Sequence, residues 1–189
     1  MNKKEDIINS AVELFLEKGI EKTSVKNITD KAGIAPGTFY LYFPSKLAVM
    51  PFIAEKMVEN IYNSATQNLG TSYNLDELVK VLIDSIFENT RKYKDLSLLI
   101  YSGFTQTKQI QNWETIYKPI YEWLEDCLEK LKDTDQISPV INSANFSRII
   151  IGTIESSAEQ VYLFDTEKNE KDIKNYKKSL FKFIYKALS

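Results

Sequence analysis

Catalysis in this chain would have to run on Asp, Glu, Lys, Tyr or Ser. The 189 residues include one cysteine, Cys127, and no histidine. Without His there is no Ser-His-Asp or Cys-His arrangement and no HExxH zinc site. One Cys closes no intrachain disulfide and builds no CxxC knuckle. No side chain has an unperturbed pKa between about 5 and 8, so a built-in proton switch is not expected. No GxxxxGK, GxSxG, SxxK or paired-carboxylate metal cluster stands in a convincing context. Carboxylates at helical spacing, such as Glu122 and Asp126, read as a solvated face. The reading is therefore no enzyme, no cofactor and no metal, with Cys127 a packed core thiol.

The two largest clusters of aromatic side chains are more informative. In the first, Phe39, Tyr40, Tyr42 and Phe43 crowd into five residues beside Lys46. In the second, Trp113, Tyr117 and Tyr121 recur every four residues, on one face of a helix, with Phe87, Tyr101 and Phe104 as partners across from it. Phenol-tipped aromatic walls suit a flat or apolar small molecule, although such a stripe also serves as ordinary core.

Charge points the same way. The net charge of −2 hides an asymmetry. Residues 1–50 carry seven lysines against six acids, and from Lys22 to Lys46 four lysines face only Asp30. A local basic patch is compatible with phosphate contact. The two arginines are Arg91 and Arg148. Arg148 lies between Phe146 and Ile149 on an apolar helix and needs a partner, an acid in its own core or across a dimer before a ligand carboxylate.

The elements that must position these residues are helices. Hydrophobic residues are 43% and charged residues 26% of the chain, as in a globular protein, and Gly (6) and Pro (5) are few. Apolar spacing predicts helices over 4–18, 24–32, 36–42, 46–69, 75–92, 95–104, 108–131, 142–164 and 170–188. Pro51 falls inside 46–69 as a predicted kink, either a hinge or a fixed bend, and Pro119 interrupts 108–131. Residues 133–139 read as a loop. No stretch approaches 18 apolar residues, so no membrane span is expected. One cysteine and no secretory signal point to the cytoplasm.

Ser24 is the predicted N-cap of the second helix, Gly33 its stop, and Pro36 the tolerated first-turn proline of the third. Phe39 and Phe43, four apart, pack inward on Val25 and Ile28, which turns Pro36, Gly37, Tyr40 and Leu41 outward. Two short helices joined through a Gly form a helix-turn-helix suited to a DNA major groove.

From Ile7 to Leu47 the chain resembles the TetR family of bacterial transcriptional regulators. The centre reads Thr23-Ser-Val-Lys-Asn-Ile-Thr-Asp-Lys-Ala-Gly-Ile-Ala-Pro-Gly-Thr-Phe-Tyr-Leu-Tyr-Phe-Pro-Ser-Lys46. The family pattern is T-V-x-x-I-A-x-x-A-G-V-S-x-G-T-h-Y-x-(H/Y)-F-x-(S/N)-K, with h apolar. Three departures stand out: Ala35 in place of a capping Ser, Thr29 in place of Ala, and Tyr42 in place of the frequent His. The resemblance implies an all-α fold of about nine helices. Residues 1–46 form a three-helix DNA-binding domain, and 47–189 a helical effector-binding and dimerisation domain. It implies that Ser24, Tyr40, Tyr42 and Lys46 contact phosphates, and all four are donors. Lys26 matches a position that reaches bases in some members, a solvated surface lysine being the other reading. Pro36, Gly37 and Thr38 form the recognition tip. With few polar base readers, much of the specificity is expected from DNA shape.

Residues 142–164 and 170–188 are apolar on two faces each, which suits burial in their own domain and against a second copy, or else in a larger monomeric core. The family implies the former, a homodimer through residues 142–188 on a pseudo-palindromic operator, with recognition helices roughly 34–36 Å apart. It also implies repression released by a small organic effector, apolar or aromatic, that moves helix 46–69. A DNA-binding activator or specificity factor without an effector, or a helical enzyme, are the alternatives.

Overall fold

A computed structural model describes residues 2–103, 113–165 and 167–189, with the backbone alone for 99–103 and Trp113. Among these residues there are eight α-helices and no strand. They are α1 (Lys3–Lys18), α2 (Val25–Ala32), α3 (Pro36–Tyr42), α4 (Met50–Asn68), α5 (Leu75–Gly103), α6 (Trp113–Asp133), α7 (Ser143–Glu159) and α8 (Glu170–Leu188). A 3-10 turn, Lys46–Val49, leads into α4, and a π-helical turn, Gln160–Phe164, ends α7. The chain divides into two compact units, Met1–Met57 with Asp95–Asn112, and Val58–Lys94 with Trp113–Ser189.

In the first unit Asn2 caps α1 by accepting from the Lys4 N–H at 3.2 Å. Glu5 and Asp6 in the first turn and Lys18 in the last complement the helix dipole. The chain leaves α1 through Gly19 at φ +81°. Ile7, Ala11, Phe15, Ile28, Phe39, Phe43, Val49, Met50 and Ile53 are buried together as the core of this unit. Phe52 closes its edge: its ring meets Phe43 at 5.5 Å, and the Lys4 ammonium lies 3.7 Å above it. A cation over an aromatic face is an attractive contact that holds the start of α1 against the start of α4.

Two prolines behave differently from the sequence-based expectation. Pro51 is the second residue of α4, not an interior kink. There it stands where the Lys46–Val49 turn passes into α4, and its missing N–H leaves one bond fewer at that junction. Pro119 lies inside α6, yet the helix runs through it. Its ring is exposed, and its neighbours Ile120 and Leu124 are buried and hold the axis.

The second unit is a layered helical core. Leu78, Leu82, Ile86 and Phe87 of α5, Ile120, Leu124 and Leu128 of α6, Ile151, Ile154 and Ala158 of α7, and Ile184 and Leu188 of α8 are all buried. α6 and α7 lie side by side along much of their length. α8 is capped by Asn169 and Asp172 in a reciprocal box, and its last carbonyl-bearing turn is tied back through Ser138 N–H to Leu188 O at 2.9 Å.

The predicted break between 92 and 95 is absent. α5 continues from Leu75 to Gly103 because Arg91-Lys-Tyr-Lys-Asp contains no Gly or Pro and its apolar stripe persists. Tyr93 and Leu96 are buried while Arg91, Lys92, Lys94 and Asp95 face outward. A run of charges was a solvated face, not a stop signal. This merger accounts for eight helices where nine were expected.

Candidate nucleic-acid interface

The helix-turn-helix is built from caps and one left-handed residue. The Ser24 hydroxyl accepts from Asn27 N–H at 3.1 Å, and the Asn27 side chain accepts from Ser24 N–H at 3.0 Å. This reciprocal box fixes the start of α2. At the other end Gly33 adopts φ +67°, ψ +32°, and its N–H returns to Asp30 and Thr29 carbonyls. Ile34 N–H bonds Thr29 O at 3.0 Å, so the chain reverses tightly before α3. Thr29, the family's usual Ala, is fully buried and satisfied, its hydroxyl donating to Lys26 O at 3.0 Å. Lys31 pairs with Glu13 at 2.7 Å and so ties α2 to α1, which raises the Lys31 ammonium above its ordinary value.

α3 begins after Ala35 without a side-chain cap; Pro36 has no N–H to offer, and the Thr38 N–H donates to Ala35 O at 2.9 Å. Phe39 and Phe43 are buried and in contact at 5.7 Å, as their four-residue spacing predicts. Pro36 and Gly37 are exposed and Thr38 half-buried. Tyr40 is 57% exposed, Leu41 83% and Tyr42 43%. The Tyr40 ring leans edge-on against Phe39 at 5.5 Å, which orients its hydroxyl outward from a fixed base. Ser24 and Lys26 are exposed on α2. One surface feature the sequence reading left out of the site is Leu41, the most exposed large apolar side chain of this helix. Its signal was present, since it shares the outward face with Tyr40.

Lys46 makes bonds within the protein. Its ammonium donates to Ile20 O at 2.6 Å and to Thr23 O at 2.9 Å. Two of its three protons are therefore committed inside the protein. Thr23 is buried and its hydroxyl bonds Gly19 O at 2.8 Å, so the whole α1–α2 turn converges on this side chain.

Of the predicted effector residues, Phe87 and Tyr117 belong to one buried cluster, with Tyr121 packed against it. Phe104 and the side chains of Tyr101 and Trp113 lie outside the described residues. Phe87 is fully buried, edge-on to Tyr162 at 6.0 Å, within the second unit's core. Tyr117 and Tyr121 do come together, at 5.5 Å. The Tyr117 hydroxyl donates to Glu155 at 2.6 Å. Arg148 is exposed, not in the core: it lies 4.8 Å from the Tyr121 ring and pairs at the surface with Glu114 of the same chain. Loss of solvent pushes the Glu155 carboxyl up to about 7, against the opposing pull of Tyr117 and with a further push from Glu159. A group titrating near neutrality therefore exists despite the absence of histidine, because burial moves a carboxyl there. An open recess of about 370 Å³ at the α4–α5 turn, bordered by Asn68, Tyr73 and Lys80, holds none of the predicted residues. Cys127 is buried, and burial pushes its thiol up, as for a packing thiol. Among the described residues no group of His, Cys, Asp and Glu is arranged to hold a metal ion, and no helix is long and apolar enough to cross a membrane.

A capped α2, a left-handed glycine and a short α3 with its polar and aromatic face outward define a helix-turn-helix DNA-binding protein. Residues 7–50 match the family model described as bacterial regulatory proteins, tetR family, and residues 79–188 match the tetracyclin repressor-like C-terminal domain. The chain belongs to the TetR family of transcriptional regulators. It is 37% identical over 187 residues to the uncharacterized HTH-type transcriptional regulator YvdT of Bacillus subtilis (strain 168), covering 98% of this chain and 95% of that one. Among solved structures it is similar to the fatty acid degradation regulator FadR of Bacillus halodurans (TM-score 0.73, 19% identity, 98% and 95% covered). It is similar also to FadR of Bacillus subtilis in complex with stearoyl-CoA (TM-score 0.72, 20% identity, 98% and 99% covered).

Proposed function

We propose that the protein is a dimeric repressor that binds a pseudo-palindromic operator and leaves it when a small organic effector binds. The observation that carries the DNA half is the outward face of α3, where Tyr40, Leu41 and Tyr42 are exposed over a buried Phe39–Phe43 base. Tyr40, Tyr42 and Ser24 supply phosphate donors, Pro36, Gly37 and Thr38 the recognition tip, and Lys26 a donor toward guanine. Residues 1–46 serve as the DNA-binding domain and 47–189 as the effector and dimerisation domain. The cytoplasm is where such a regulator meets its operator.

The dimer reading is supported by apolar side chains that one chain leaves uncovered on α7 and α8. On α7 Ile149 is 58% exposed, and on α8 Phe183 is 64% and Tyr185 38% exposed. A second copy related by two-fold symmetry would cover such a face with the same residues.

The effector is an apolar organic molecule, with Tyr117 and Tyr121 on the wall of its site and Phe87, Tyr101, Phe104 and Trp113 as the further candidates. The acyl-CoA ligand of the FadR neighbour puts long-chain acyl compounds first among those to try. The effector must bind the DNA-incompetent state better, and operator must weaken effector by the same factor. A gel shift with purified protein and the DNA flanking its own gene tests the reading. Retardation relieved by one member of an acyl-CoA and aromatic-compound series is the expected result, and no retardation of any flanking fragment sinks it.

A further inference from the structure

Lys46 opens the helical segment that runs through the Lys46–Val49 turn into α4. Its side chain is part-buried. It reaches back more than twenty residues to two carbonyls of the α1–α2 turn, Ile20 O at 2.6 Å and Thr23 O at 2.9 Å. These distances are those of charge-assisted hydrogen bonds. Ile20 O also accepts from Thr23 N–H at 3.2 Å, so the ammonium sits where the turn's carbonyls already point together. Thr23 O is the carbonyl immediately before Ser24, the cap that starts α2. Nothing else in the described structure bonds Thr23 O.

We propose that Lys46 is a positioning residue for the DNA-binding head: its ammonium clamps the α1–α2 turn to the start of the Lys46–Asn68 helical segment and so fixes α2 and α3. The inference rests on the operator-binding reading for its purpose, though not for its geometry. A displacement of this segment's start is carried through Lys46 to the cap of α2. From α2 it passes through the Gly33 turn to α3. Met would remove both bonds while keeping the length and bulk of the stem, and Arg would keep a cation with donors enough for two carbonyls.

The test uses the full chain as wild type, Lys46→Met and Lys46→Arg. Hydrogen exchange is followed in the DNA-free protein, and binding to a duplex from the region flanking its own gene is followed across a salt series. In Lys46→Met, amides of residues 20–27 exchange about tenfold faster, the scale of a lost charge-assisted bond, while those of α8 keep the wild-type rate. DNA binding weakens by about tenfold, and Lys46→Arg recovers part of both. Wild-type exchange over 20–27 together with a salt slope reduced by about 0.9 for each phosphate lost would mean a phosphate ligand and overturn the proposal. Faster exchange with unchanged DNA affinity would overturn it too, since the clamp would then be structural only. Exchange is read without DNA, so its outcome is distinct from failure of the operator reading itself.

Discussion

The Tyr117 hydroxyl donates to the Glu155 carboxylate at 2.6 Å and so bonds α6 to α7 through a half-buried acid. Desolvation raises that carboxyl to about 7, well above the roughly 4.3 of an unfolded chain. Between those values the folded protein holds a proton that the unfolded chain has released. The stability contributed by protonated Glu155 is therefore full below about pH 4 and is lost as pH rises through 7. Urea unfolding at pH 5 and pH 8 should show wild type losing up to about 3 kcal/mol more than Glu155→Gln over that interval. Tyr117→Phe removes the bond that favours the charged form and shifts the window upward. Parallel stability curves for wild type and Glu155→Gln would show that Glu155 titrates normally.

Caps give a second prediction. Ala35 has an extended backbone at φ −71°, ψ 146°, and no side-chain bond to α3. Ala35→Ser should stabilise by about 0.5–1 kcal/mol, and Ser24→Ala should destabilise by about 1 kcal/mol by dissolving the Ser24–Asn27 box. For a chain of this length each kcal/mol moves the melting temperature by about 2–4 °C, within reach of calorimetry. Equal melting temperatures for all three proteins would contradict the capping argument.

Gly33 and Gly37 should respond oppositely to alanine. A Cβ at either meets no atom within 4 Å, but Gly33 alone has a left-handed backbone, at φ +67°. Gly33→Ala is expected to lose about 1 kcal/mol from conformation alone. Gly37→Ala should gain up to about 1 kcal/mol from helix propensity while weakening DNA binding, because Gly37 sits exposed at the recognition tip. Unchanged operator affinity in Gly37→Ala would remove that glycine from the interface.

Neighbouring aromatics in α3 should divide by burial. Phe39→Ala removes a fully buried ring and should destabilise by about 3–5 kcal/mol. Tyr40→Phe and Tyr42→Phe remove only exposed hydroxyls, so stability should stay within about 0.5 kcal/mol. Operator affinity should fall about three- to tenfold in each, the scale of one hydrogen bond. A tyrosine variant that binds operator as wild type does would show that its hydroxyl reaches no phosphate.

The DNA-binding head was legible in the sequence because its information is local. Ser24, Gly33, Pro36 and the Phe39–Phe43 pair each act within four residues, and the helices they bound agree with the structure to within a residue. Pro51 misled because a proline's effect depends on whether it falls in a first turn, and the start of α4 is set by packing of Val49 and Met50. The break expected between 92 and 95 is absent because Arg91, Lys92, Lys94 and Asp95 lie on the solvated face of one continuous helix. Lys46 and Glu155 were not legible at all. The partners of Lys46 lie 23 and 26 residues away, and Tyr117 lies 38 residues from Glu155, so no local spacing announces either bond. The phosphate role assigned by resemblance carried no information on where this ammonium spends its protons.

The π-helical turn at the end of α7 has a bearing on descent. Asp165 N–H reaches five residues back to Gln160 O at 2.9 Å, where an α-helix would reach four. Such a turn absorbs one additional residue without opening a loop, and the chain beyond it is rotated by about 100° relative to an uninterrupted helix. Within the turn Val161 and Leu163 are buried, and Phe164 is left 62% exposed. A one-residue insertion into a regular helix would leave such a turn. A relative with a regular helix here would align with one gap between positions 160 and 164 and would present a different side chain at the place of Phe164.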